Sequence, residues 1–201
     1  MKRILTIAVA AVMMTFATNS FAQVQVGAGY LRGMDNIAMS SISTDLTSNG
    51  VYAGFSYNLP ISGGLGIAPG FYYSFMFSND NYEGVADAKI REHFANVPVY
   101  LNYRFGNGSN AQFFIYVGPT VQLGLASTVT VSLLGVSETT DRYKDSDYSR
   151  ANLLVGGGIG MNISKFQITL GYDQGLFNLD TSNDGTKWTK SYLKAGIAYL
   201  L

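Results

Sequence analysis

Few residues in this chain have types and spacing suited to chemistry. His93 is the only histidine, and as a general base it needs a nucleophile within reach and a carboxylate to orient it. On a strand, residues two apart share a face, so a serine at position 95 would complete the pair, but that residue is Ala95. Glu92 is adjacent in sequence and falls on the other face. An interfacial or loop-packing role for His93 is expected, with no catalytic residue and no enzyme. The acidic groups Asp80, Glu83 and Asp87, then Asp141, Asp145 and Asp147, miss the spacing of a calcium loop and read as solvated charge, so no metal is expected. In "GGGIG" a dinucleotide fingerprint starting at Gly156 and Gly158 would need its third glycine at Met161, and no crossover helix follows. With no cysteine in the chain, disulfides and thiolate chemistry are excluded. No cofactor is implied.

The remaining charges are positioned by strands. In "LGIAPGFYYSFMF" the odd positions Leu65, Ile67, Pro69, Phe71, Tyr73, Phe75 and Phe77 are bulky, and the even ones are mostly small. Strict alternation marks a strand with different surroundings on its two faces. The same period runs through Val51–Leu59, Val97–Phe105, Phe113–Leu125, Leu153–Ile163 and Phe166–Tyr172. A first strand from Val24 to about Met34 and a last from Tyr192 to Leu201 give eight. Short turns, "PISGG", "GNGSN" and Ser164–Lys165, alternate with four long polar connections near 35–49, 78–92, 127–150 and 180–190.

Charge and volume decide which face points inward. A soluble barrel would place Phe71, Tyr73, Phe75 and Phe77 of one strand in an interior that eight strands leave only just wide enough for side chains. It would also show water a face of Gly, Ala, Ser and Asn, although charged residues are only 13% of the chain. Inverting the barrel removes both faults: the bulky face meets lipid, and closure pairs every backbone group. The expected fold is an all-β, eight-stranded antiparallel up-and-down transmembrane barrel. Tyr57, Tyr103, Phe105 and Tyr199 form an interfacial girdle. Arg104, Asp173 and Lys194 then point inward and are expected to plug the lumen by pairing. Pro69, Pro98 and Pro119 each remove a ladder donor inside a strand, and local bulges are expected there.

The N-terminus reads as a cleaved signal peptide over residues 1–22, with Lys2 and Arg3, an apolar run from Ile4 to about Ala17, and Ser20 and Ala22 before the cut. The barrel domain is 23–201. Without Lys2 and Arg3 the 13 basic residues fall to 11 against 13 acidic ones, a net charge of −2, so no nucleic-acid partner is expected.

"FANVPVYLNYRFG", "FIYVGPTVQLGLAS", "NLLVGGGIGMNIS", "YDQGLFNL" and "KAGIAYLL" together resemble, in order and spacing, the outer-membrane β-barrel (porin) family abundant in Bacteroidota, related in architecture to OmpA/OmpX-type barrels. The resemblance implies the outer membrane of a Gram-negative bacterium, with both termini periplasmic. It also implies lipid and lipopolysaccharide as surroundings and the outer-membrane assembly machinery as a partner. Lys194, Gly196, Tyr199 and Leu201 resemble the terminal assembly signal, with Leu201 where a Phe is commoner. A non-enzymatic role in envelope integrity, adhesion or surface recognition through the long loops is expected, with a surface protein or host ligand as partner. The alternatives are a lipid A-modifying enzyme, some of which carry a histidine where His93 lies, and a narrow porin.

The odd-position series of the fifth strand runs from Phe113 on to Leu133, whereas about 9–11 residues cross a bilayer. A projecting hairpin is therefore expected, pairing partly with residues approaching Asn152. Its tip is expected near "GVSETTDRYKDSDY" and cleavable after Arg142 or Lys144, and its free edge is suited to a partner strand.

Overall fold

A computed structural model describes residues 23–39, 42–82, 86–106, 111–133, 136–182 and 185–201. The expected signal peptide, Glu83 and positions 107–110 of the "GNGSN" turn lie outside the described residues. The strands are β1 Gln23–Met39, β2 Ile42–Ser62, β3 Leu65–Tyr82, β4 Ala86–Phe105, β5 Ala111–Leu133, β6 Val136–Asp141, β7 Ala151–Ile163, β8 Phe166–Gly175 and β9 Lys187–Leu200. A single-turn helix, α1, spans Arg142–Asp145. All but β6 form a closed antiparallel ring of eight, joined β4 to β5 and β1 to β9; β6 pairs with β5 alone.

The alternating pattern is realised as read. Outward residues such as Phe71, Tyr73, Val97, Leu101, Ile115 and Ile159 are exposed, while inward Ser74, Met76, Asn102, Gln122 and Leu154 are buried. The girdle aromatics cluster outside at the turn end, Tyr103 stacking on Phe105 and Phe105 on Phe113.

Three of the four long loops are strands instead. β1 and β2 stay paired as far as Met39 and Ile42, β3 and β4 as far as Tyr82 and Ala86, and β5 and β6 as far as Leu133 and Val136. Cross-strand polar pairs hold these extensions: Asn36 donates to Asp45 at 2.8 Å, and hydroxyls meet at Thr130–Thr139 (2.9 Å) and Ser132–Ser137 (2.7 Å). Such pairs stabilise a ladder as apolar ones do, so polar composition here does not mean irregular chain. Residues 142–150, between β6 and β7, and the described part of 176–186, between β8 and β9, are without strand apart from the isolated Tyr148–Asp180 bridge.

β5 does project, but the hairpin differs from the expected one. β5 and β6 pair out to Leu133↔Val136, so that "VSETTD" is the returning strand β6; toward β7, pairing ends at Leu123↔Ala151. The register of β4 against β5 shifts at His93/Phe94, which pair with Ala126 and Gly124, so Leu125 is an extra residue. Beyond this bulge Ser127 is fully buried and faces inward, and the odd series changes side.

No register shift occurs at Pro69, Pro98 or Pro119. Pairing lapses for two residues after Pro69 and after Pro98 and resumes in the same register at Tyr72 and Leu101; Pro119 stays opposite Val155. The bonds on either side of one missing donor hold the alignment. The shift attached to a proline lies at Pro60–Ser62, just before the β2–β3 turn.

Candidate functional site in the barrel lumen

The lumen is crossed by side chains in layers, which leave between them a cavity of about 130 Å³ lined by Tyr52, Tyr72, Tyr100, Tyr116 and Lys194 among others. In its middle, Lys194 on β9 bonds Asp173 on β8 at 2.6 Å and reaches across to the Tyr100 hydroxyl on β4 at 2.7 Å. Tyr52 packs edge-on against Tyr72, and Tyr100 lies 5.0 Å from Tyr116. These tyrosines fit because the facing wall is glycine. A Cβ at Gly171 would stand 2.2 Å from the Tyr116 hydroxyl, and one at Gly196 2.0 Å from that of Tyr52. The small face seen in the sequence is thus the socket for tyrosines from other strands.

Of the three expected plug residues, the fold brings Asp173 and Lys194 together and leaves Arg104 apart. Arg104 lies toward the turn end, where its main-chain N–H donates to Gly64 at 2.8 Å. Its Nε is buried without a partner, and it forms no ion pair among the described residues. Above the tyrosines an apolar layer of Leu31, Met76, Phe94, Leu154 and Tyr192 crosses the barrel.

A second charged layer, nearer the hairpins, was missed in the sequence. Lys190 on β9 bonds Glu92 on β4 and lies 3.4 Å from Asp35 on β1. Glu92 also accepts from Ser127 (3.3 Å), Tyr148 (3.4 Å) and Arg142 (3.2 Å), and Asp35 accepts from the Trp188 indole at 2.9 Å. Arg142 is the one charged member not supplied by the ring. It is carried on α1, whose first turn is capped by the Asp141 carboxylate accepting from the Tyr143 N–H at 3.0 Å. Its guanidinium lies between two rings, 3.8 Å from Tyr148 and 4.3 Å from Trp188. Burial raises the Tyr148 phenol, and raises that of Tyr143 to about 12, so both rings are neutral packing groups at any ordinary pH. Inward parity was the available signal for Asp35 and Lys190, but both fell in segments read as loops.

His93 faces outward, hydrogen-bonded to Tyr73, with the Phe75 ring 4.9 Å away; Glu92 points to the lumen. This arrangement orients the imidazole without aligning it to a carboxylate. Among the described residues no three His, Asp or Glu side chains gather as metal ligands. Asp141 serves the α1 cap, and Asp145 accepts from the Asp141 main-chain N–H at 3.1 Å. At the terminus, Tyr199 faces outward against Phe166, and Leu201 donates its N–H to Val24 at 3.0 Å.

A closed ring with an apolar exterior and a largely polar interior defines a membrane-spanning β-barrel. The chain belongs to the outer membrane protein beta-barrel domain family, whose model matches residues 12–181. Among curated proteins no sequence relative matches. Among solved structures it is similar to Ail, the attachment invasion locus protein of Yersinia pestis. A complex of Ail with the heparin analogue sucrose octasulfate gives a TM-score of 0.52 at 13% identity, covering 90% of this chain and 99% of Ail; a second Ail structure gives 0.51. The outer membrane enzyme PagL aligns at TM-score 0.49 and 13% identity, covering 87% of this chain and 98% of PagL. These likenesses are of fold alone.

Proposed function

We propose that the barrel acts at the cell surface without enzymatic activity, through its three projecting hairpins, in adhesion or surface recognition and in the integrity of the envelope. In this reading the hairpin end faces outward, both termini are periplasmic, residues 1–22 are removed as a signal peptide, and the envelope is of the Bacteroidota kind that the motifs resemble. Lys194, Gly196, Tyr199 and Leu201 serve as the assembly signal. The observation that carries the reading is the pairing of long regular hairpins with a lumen crossed by buried charge: the built surface lies outside the bilayer, not along a conduit. The second edge of β6 is unpaired among the described strands, and such an edge takes a strand from a partner protein. A narrow porin is less well supported because Lys190 and Lys194 both cross the lumen. A lipid A-modifying enzyme is less well supported because Ala95 stands where a serine is needed.

The absence of cysteine makes the orientation testable. Ser137→Cys on β6 should react with a membrane-impermeant maleimide on intact cells, and Ser164→Cys in the β7–β8 turn only after lysis. The opposite pattern would refute the surface reading.

A further inference from the structure

The registers align one outward-facing row across four neighbouring strands at the hairpin end: Arg32 on β1, Asn49 on β2, Phe77 on β3 and Arg91 on β4. Two residues nearer the turn end, the same face carries Tyr30, Val51, Phe75 and His93, the last row of the apolar and aromatic belt. Two residues further out it carries Thr47, Asn79 and Lys89. The first cations on this face therefore stand where the lipid-facing belt stops.

The two arginines lean toward each other. Arg32 crosses onto β2, donating to Asn49 and Thr47 at 3.2 Å each. Arg91 leans toward β3, donating to Asn79 at 3.1 Å and to the Ser78 carbonyl at 3.4 Å as well as to the Ile90 carbonyl of its own strand at 3.0 Å, with its guanidinium over the Phe77 ring. Their Cα atoms are three strand spacings apart, about 14 Å, and the side chains reach into that interval from its two sides, Arg32 onto β2 and Arg91 toward β3. Their acceptors are neutral oxygens. Among the described residues no carboxylate pairs with Arg32, Arg91 or Lys89; Asp45, further out on the same face, accepts from Asn36. Two forked donors leaning into one interval, with no carboxylate pairing them among the described residues, suit a phosphate group.

We propose that Arg32, Arg91 and Lys89 form a clamp for the phosphate of an outer-leaflet glycolipid, the lipid A part of lipopolysaccharide, whose acyl chains lie along Tyr30, Val51 and Phe75. The position selects an amphiphile, since the phosphate site is continuous with an acyl-facing belt. The choice of lipid A over a phospholipid rests on the outward orientation of the hairpins proposed above.

The test uses the full mature barrel folded in detergent micelles, with its thermal midpoint followed against added bisphosphorylated lipid A, dephosphorylated lipid A or phosphatidylglycerol. Lipid A is expected to raise the midpoint saturably, and the other two to do so only weakly. R32Q/R91Q should weaken the lipid A effect about tenfold or more while keeping the folded gel mobility, as two charge-assisted phosphate contacts are lost; K165Q, at the turn end, should leave it unchanged. Equal lipid A affinity in R32Q/R91Q would overturn the clamp, as would equal affinity of the wild type for dephosphorylated lipid A. Tighter binding of phosphatidylglycerol than of lipid A would overturn the proposal. If Ser137→Cys is labelled from outside in the same protein, only the clamp fails and the surface reading stands.

Discussion

Lys190 and Glu92 form an ion pair across the full width of the barrel, for β9 and β4 are four strands apart whichever way the ring is followed. Both side chains are almost wholly buried, and 98 residues of chain separate them. Removing one partner of a buried pair leaves an uncompensated charge and costs about 3–5 kcal/mol. K190M or E92Q should therefore lower the thermal midpoint for loss of the folded gel form, and E92Q/K190M should lose less than the two single losses combined. Additive losses would show that the residues are not coupled.

The Arg142 peptide bond should resist trypsin. Sequence alone marks Arg142 and Lys144 as equal targets, yet Arg142 is 6% exposed between two rings, and the Lys144 side chain is 72% exposed. Cleavage of the folded barrel in this segment should follow Lys144, with cutting after Arg142 appearing only in W188A. Early cleavage after Arg142 in the wild type would refute the inserted geometry.

Planar-bilayer recordings should show no stable porin-sized conductance, because a polar layer at Lys194, an apolar layer at Phe94 and Leu154, and the Glu92–Lys190 layer obstruct the lumen in series. Neither K194A nor K190A alone should open it. Steady large steps from either variant would mean that the remaining layers do not fill the lumen.

The α1 cap should respond to acid. The hydrogen bond from Lys144, followed by that from the Tyr143 N–H, holds the Asp141 carboxyl below its usual range. A lowered carboxylate pKa contributes stability above the unfolded value of about 3.9, lost as pH falls through the folded value. Trp188 is the only tryptophan and touches Arg142 on this segment. Its emission should shift below about pH 4, and D141N should remove the Asp141-dependent part of that shift. An identical titration in D141N would exclude the cap as the acid-sensitive element.

Deleting "YLL" removes the Leu201 to Val24 bond that joins the chain ends together with the proposed assembly signal. Unassembled periplasmic protein is the expected result, and normal outer-membrane levels would refute the signal.

Parity made the barrel legible. Once Phe71 and Tyr73 were placed outside, Asp173 and Lys194 had to be inside, and they meet there. Parity could not tell which inward charges pair, because partners come from different strands and their heights depend on register; Arg104 shares the face of the pair but not its level. It failed wherever polar residues hold a ladder, as Asn36 and Asp45 do, and so Asp35 and Lys190 were lost to supposed loops. Arg142 carried no periodic signal at all. Its place depends on how the chain folds back after β6, which no short-range pattern encodes.

The bulge at Leu125 acts as a phase switch in β5. Below it, odd residues meet lipid; without it, Val129, Val131 and Leu133 would continue an apolar outer face beyond the membrane, and Thr128 and Thr130 would face in. One extra residue reverses this, turning Thr128 outward into the row of Arg91 and Ser127 inward onto Glu92. The upper boundary of the bilayer is thus written into β5 as a change of phase rather than a change of composition. Lengthening the hairpin in steps of two residues keeps its faces, while a single deletion at 125–126 exchanges them.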